Sequence, residues 1–115
     1  MNLKIEKLEV NSARVIVIKG EIDLYSSPVV RKQILETIDN KIPVILVDMN
    51  QVTYMDSSGV ATLVEGYKQC NQYNGRFLLS GVQPEVRQVF ELTRLDSVFP
   101  MYKDRQSALA DMDLA

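Results

Sequence analysis

The chain predicts an α/β domain, a mixed sheet of about five strands packed with about four helices in the order ββαβαβαβα. Three observations carry that expectation. Two β-rich stretches joined by a turn open the chain. The unbroken apolar run Val44-Ile45-Leu46-Val47 suits a strand covered on both faces, as in parallel sheets. Segments with apolar residues at helical spacing then separate the later strands. At 115 residues, with no linker, repeat or low-complexity stretch, residues 1–115 read as one domain.

Leu3 and Ile5 alternate with polar residues, so the first segment reads as a half-exposed strand. Asn11-Ser12 supplies a turn. Val15 to Ile18 is a second strand, in a hairpin with the first and closing at Gly20. Ser27-Pro28 starts a helix, with serine as cap and proline where no N–H is needed. Val30, Ile34 and Ile38 form its apolar stripe, and Asn40 and Pro43 end it. The run from Val44 is expected to stop at Asp48 and give way to a loop over Met49 to Met55. Val60, Leu63, Val64 and Tyr67 mark a second helix, stopped by Asn74-Gly75. Gly66, costly inside a helix, suggests close approach by another backbone. Phe77-Leu78-Leu79 is a short strand, and Pro84 opens a third helix carrying Val86, Val89 and Phe90. Val98 to Met101 is expected as an edge strand, since Pro100 has no N–H for a central ladder. Asp104 to Leu114 reads as a terminal helix with Ala108, Leu109 and Met112 inward.

Composition then removes whole chemistries. There is no histidine, so Ser-His-Asp and Cys-His nucleophilic sites lack their base. One cysteine cannot supply an all-cysteine zinc site or an internal disulfide, which suits a reducing compartment. Cys70 lies on an apolar helix face and reads as core. Thirteen basic and fifteen acidic residues give a net charge of −2, unlike a nucleic-acid module or a polybasic membrane anchor. No signal-peptide core or membrane-length apolar run is present. The expectation is a cytoplasmic, non-enzymatic domain that needs no cofactor or metal and engages neither nucleic acid nor membrane.

In an open α/β sheet, function gathers outside the carboxyl ends of the parallel strands. There Asp56-Ser57-Ser58-Gly59 places two hydroxyls at a helix N-terminus. Ordinary capping explains Asp and Ser at such a position. The other reading makes one serine a modification or ligand site, because the exposed N–H groups and helix dipole favour an anion. A phosphate beside Asp56 would be locally repulsive and so would more readily abolish a contact than create one. No Walker-type loop equips the chain to phosphorylate itself. Asp23, Asp48 and Asp56 could alternatively hold magnesium, or simply terminate their segments. Glu21 and Asp23 shape the Gly20-to-Pro28 connection, on the rim of Ser57 if the strands lie side by side. Tyr25 and Tyr54 in the two rim loops suit a protein interface.

Gly20-Glu21-Ile22-Asp23, an apolar strand ending at Asp48, and then Val52-Thr53-Tyr54-Met55-Asp56-Ser57-Ser58-Gly59-Val60 together resemble the STAS domain of bacterial anti-sigma factor antagonists. The resemblance covers essentially the whole chain, including the spacing of the two motifs. It implies a partner-switching regulator of transcription. Unphosphorylated, such an antagonist binds an anti-sigma factor serine kinase and releases a sigma factor. The kinase phosphorylates the serine after the motif aspartate, here Ser57, and a serine phosphatase restores the active form. By the same resemblance Asp23 serves kinase recognition, Ser58 is a helix cap, and Gly59 lets the partner and loop backbone approach. The partner surface would comprise Asp23, Glu21, Tyr25, Tyr54, Asp56, Ser58 and Gly59. Ala61 replaces a frequent family glycine, and Leu24-Tyr25-Ser26-Ser27-Pro28 is less typical, so partner identity is less defined than fold. STAS-like domains also act as adaptors or subunits of signalling or lipid-transport assemblies without phosphorylation.

Overall fold

A computed structural model describes residues 2–112. Five strands form one sheet in the spatial order β1-β2-β3-β4-β5: β1 (Leu3–Val10), β2 (Ala13–Ile22), β3 (Val44–Met55), β4 (Arg76–Ser80) and β5 (Met101–Tyr102). β1 and β2 are an antiparallel hairpin, and every later neighbour is parallel. Between the strands run α1 (Ser27–Asp39), α2 (Ser57–Gln72) and α3 (Pro84–Leu92), and α4 (Arg105–Asp111) follows β5. The element order and the mixed sheet are those the sequence predicts.

Alternation along β3 explains its burial on two sides. Ile45 and Val47 face a large core shared with α1, α2 and α3, through Val30, Ile34, Leu63, Val86 and Phe90. Val44 and Leu46 face a smaller core closed by Ala108 and Leu109 of α4. Three helices therefore cover one face and one short helix the other. Phe99 packs edge-on against Tyr67 and Phe90, fixing the segment before β5.

The structure corrects several expectations. β2 does not close at Gly20. That residue has φ +116°, and a Cβ there would sit 2.1 Å from the Asn2 carbonyl oxygen, so glycine permits a register shift and the strand runs on to Ile22. The expected loop over Met49 to Met55 is strand as well, pairing with that extension of β2. Met49, Val52 and Met55 are buried there at intervals of three, not two, which hides the strand from a period-two reading. β5 is Met101–Tyr102 rather than Val98 to Met101, and Pro100 precedes it, offering its carbonyl to the Leu79 N–H at 3.0 Å. Asp104 lies outside α4 and caps it by accepting from Ser107 N–H at 2.7 Å; Leu114 lies outside the described residues. Ser26, not Ser27, is the N-cap position of α1, and it makes no side-chain cap bond. What approaches Gly66 is side chain, not backbone: a Cβ would stand 2.8 Å from Ile34 Cγ2 and 3.0 Å from Phe77 Cε2.

Candidate functional site: the rim of β2, β3 and α2

β4 pairs with β3 only as far as Ser80 against Asp48, whereas β2 accompanies β3 to Met55. The last residues of β2 and β3 thus project beyond the sheet and end together. The Asp56 N–H donates to the Ile22 carbonyl at 3.2 Å, tying the start of α2 to the β2–α1 connection. One rim consequently carries Glu21, Asp23, Leu24, Tyr25, Tyr54, Asp56 and Ser57.

Asp56 is the N-cap of α2 in extended geometry, and its Oδ1 accepts from Ser58 N–H at 3.0 Å. The Ser58 hydroxyl donates to the same oxygen. Ser58 is therefore the capped residue and Asp56 the cap, a correction to the role expected of Ser58. Ser57, the first helical residue, is exposed, and its hydroxyl has no partner among the described residues. Gly59 is buried: a Cβ would stand 2.5 Å from Met55 Cγ and 2.9 Å from Ile22 Cγ2. Its lack of a side chain serves packing inside the domain.

The β2–α1 connection is pinned as tightly. Asp23 Oδ1 accepts from Tyr25 N–H and Ser26 N–H, both at 2.9 Å. The buried Ser26 hydroxyl donates to the Glu21 carbonyl at 2.7 Å and accepts from Asp23 N–H at 2.9 Å. Hydrogen bonding from the Ser26 backbone, aided by the Ser26 hydroxyl and Tyr25 N–H, holds the Asp23 carboxyl below its usual range against desolvation. With the turn so closed, Leu24 and Tyr25 face solvent, 67% and 82% exposed, and Tyr54 is 50% exposed. Sequence reasoning did not single out Leu24 or the half-exposed Val29. The available signal was an apolar residue inside an Asp-x-x-Ser turn, where nothing in the turn buries it.

The three aspartates do not converge. Asp23 and Asp56 share the rim, but Asp48 faces α4, with Oδ2 3.0 Å from Arg105 Nε and Oδ1 accepting from Asn50 N–H. An open cavity of about 340 Å³ lies beside that ion pair, lined by Asp48, Asn50, Asp104, Arg105 and Gln106. No group of three metal-ligating residues exists among the described residues. Cys70 is buried, and burial raises its thiol, as expected of core. No helix among the described residues is long and apolar enough to cross a membrane.

A five-stranded mixed sheet with a capped serine helix at its carboxyl rim defines a class, and residues 4–108 match the STAS domain family. The chain belongs to that family. It is 29% identical to the anti-sigma F factor antagonist of Paenibacillus polymyxa, over 99% of this chain and 98% of that one. It is 34% identical to the anti-sigma-B factor antagonist of Listeria monocytogenes, over 85% and 87% of the two chains. In fold it is similar to the Bacillus anti-sigma factor antagonist SpoIIAA. The unphosphorylated form superposes with a TM-score of 0.81 at 24% identity, covering 96% of each chain. The phosphorylated form gives 0.73 at 23%, over 96% and 98%.

Proposed function

We propose that this chain is an anti-sigma factor antagonist whose binding to an anti-sigma factor serine kinase is switched off by phosphorylation of Ser57. The observation that carries this reading is the hydroxyl of Ser57, exposed and unpartnered on the first residue of α2 beside a cap whose Oδ1 is taken by the Ser58 N–H and hydroxyl. In the transfer, Ser57 Oγ attacks the γ-phosphorus of ATP, loses its proton and displaces ADP. The chain supplies only the acceptor; base, metal and nucleotide belong to the kinase. A serine phosphatase hydrolyses the ester and restores the hydroxyl.

The effect of the phosphate follows from its surroundings. About −1.5 to −2 charges arrive at neutral pH. The α2 dipole favours an anion at this end, while the Asp23 and Asp56 carboxylates oppose it. These local contributions have opposite signs, so the fold itself changes little. At a docked surface, however, the dianion must be desolvated against exposed apolar side chains, which is costly. The switch thus acts on association, and the free protein keeps its shape.

Intact-mass measurement after incubation with the kinase and ATP tests the site: one phosphate on the wild type and none on Ser57→Ala, with Ser58 still present. Phosphate retained by Ser57→Ala overturns the assignment. Ser57→Asp should weaken kinase binding at least tenfold, roughly the consequence of placing one unpaired charge in an interface. Equal affinity by calorimetry would remove the switch and favour an adaptor role.

A further inference from the structure

Two segments of the rim share a property that neither the switch nor the capping explains. Residues 20–30 and 50–60 contain three carboxylates, Glu21, Asp23 and Asp56, and no lysine or arginine. Among them stand Leu24, Tyr25 and Tyr54, which with Val29 make up four of the five large exposed apolar side chains described; the fifth is Leu92. Lys19 and Arg31, which flank the first segment, are paired with Glu6 and Glu65. Large apolar side chains exposed beside carboxylates that have no ion-pair partner among the described residues are what an interface centre and its steering rim require.

The Asp23 turn accounts for their presentation. One carboxylate oxygen, Oδ1, receives both Tyr25 N–H and Ser26 N–H, while Ser26 Oγ bridges the Glu21 carbonyl and Asp23 N–H. Ser27 N–H closes the turn onto the Asp23 carbonyl at 2.8 Å. The backbone of Leu24 and Tyr25 is thus fixed before any partner arrives, which lowers the ordering cost of docking.

We infer that Leu24 and Tyr25 are the anchors by which the chain selects its kinase, seated in an apolar pocket flanked by basic side chains, and that Asp23 is a positioning residue. Resting on the reading of Ser57 as phospho-acceptor, this assigns partner choice and switching to different residues of one rim. Leu24 and Tyr25 decide which kinase docks, Ser57 decides when it leaves, and Asp23 holds the anchors in place through Oδ1.

Steady-state phosphorylation of the full chain by its kinase, with ATP saturating, separates these roles. Leu24→Ala and Tyr25→Ala should each raise KM for the antagonist about tenfold or more, as anchor truncations do, with kcat nearly unchanged. Asp23→Ala should raise KM similarly and lose the hydrogen-exchange protection of the Tyr25 and Ser26 amides. Asp23→Asn should restore both, because the asparagine carbonyl accepts the same two N–H bonds without the charge. An unchanged KM for Leu24→Ala and Tyr25→Ala overturns the anchors. An Asp23→Asn variant as impaired as Asp23→Ala, with its amides still protected, overturns the positioning role and makes the charge itself the contact. If the wild type accepts no phosphate, the reading of Ser57 fails first; if it accepts phosphate and the anchor variants behave like it, only the present inference fails.

Discussion

Tyrosines at the two ends of the sheet show what each end is for. At the amino ends of β3 and β4, Tyr73 turns inward: its hydroxyl donates to the Ile42 carbonyl at 2.8 Å and receives the Cys70 thiol at 3.5 Å. Its ring carries the Lys41 ammonium 5.2 Å from the centroid. Gly75 closes over the same place, where a Cβ would stand 2.7 Å from Cys70 Sγ. At the carboxyl ends, Tyr25 and Tyr54 lie in solvent. Between the two ends, Arg31 and Glu65 join α1 to α2 through two hydrogen bonds of 2.7 and 2.8 Å. One end uses its polar groups to complete the fold. The other closes its turn and cap with Asp23, Ser26, Asp56 and Ser58 but leaves the side chains of Tyr25 and Tyr54 outside, available to a second protein.

Substitutions should divide along that line. The largest effect belongs to the amino end, where Phe77→Ala removes a ring packed against Phe99 and Gly66 and should cost about 3–5 kcal/mol in urea unfolding. Tyr73→Phe comes next, at about 1–3 kcal/mol, because the Ile42 carbonyl loses its side-chain donor. The same residues govern the alkaline limb of stability. Burial raises both the Cys70 thiol and the Tyr73 phenol; the neighbouring thiol adds to the phenol's shift, while the hydrogen bond to Tyr73 partly offsets the thiol's. The folded chain therefore holds these protons more tightly than the unfolded one. Their contribution is complete below the thiol's ordinary 9.0 and falls as pH rises beyond it. A Cys70→Ala, Tyr73→Phe double variant should flatten this decline in thermal melts taken across that range.

At the rim, Asp56→Ala removes the α2 cap and should cost about 1 kcal/mol. Like Asp23→Ala at its turn, it is expected to loosen the rim and weaken docking together. Smallest is Tyr25→Ala, expected within about 0.5 kcal/mol of wild type by urea unfolding, as for an exposed side chain without internal bonds. A loss at Tyr25 as large as that at Tyr73 would erase the distinction between the ends.

Helices and buried strands were legible where one local signal sufficed. Pro28, Pro84 and the Asp56-Ser57-Ser58-Gly59 stretch fixed helix starts, and the run from Val44 announced a strand covered on both faces. What escaped reading depended on partners distant in sequence. Gly20 looks like a stop until Asn2 is seen across it, and Met49 to Met55 looks like a loop until β2 is seen beside it. Arg105 reaches Asp48 across 57 positions, which no spacing rule announces. The candidate serine was visible because capping is local chemistry. Its apolar neighbour Leu24 was not, because exposure belongs to the assembled surface.

The hairpin's outer strand has a consequence for how copies of this chain meet. β1 ends the sheet, with its second backbone edge unpaired by any described strand. Two such edges joined antiparallel must place residues of the same face opposite each other. The two longest registers that obey this rule centre on Glu6 against Glu6 or Lys7 against Lys7. Parallel in-register stacking, the fibril geometry, puts each of Lys4, Glu6, Lys7 and Glu9 against its own kind. Like charges thus guard the edge against aggregation, and the surface most open to self-association is the one least suited to it.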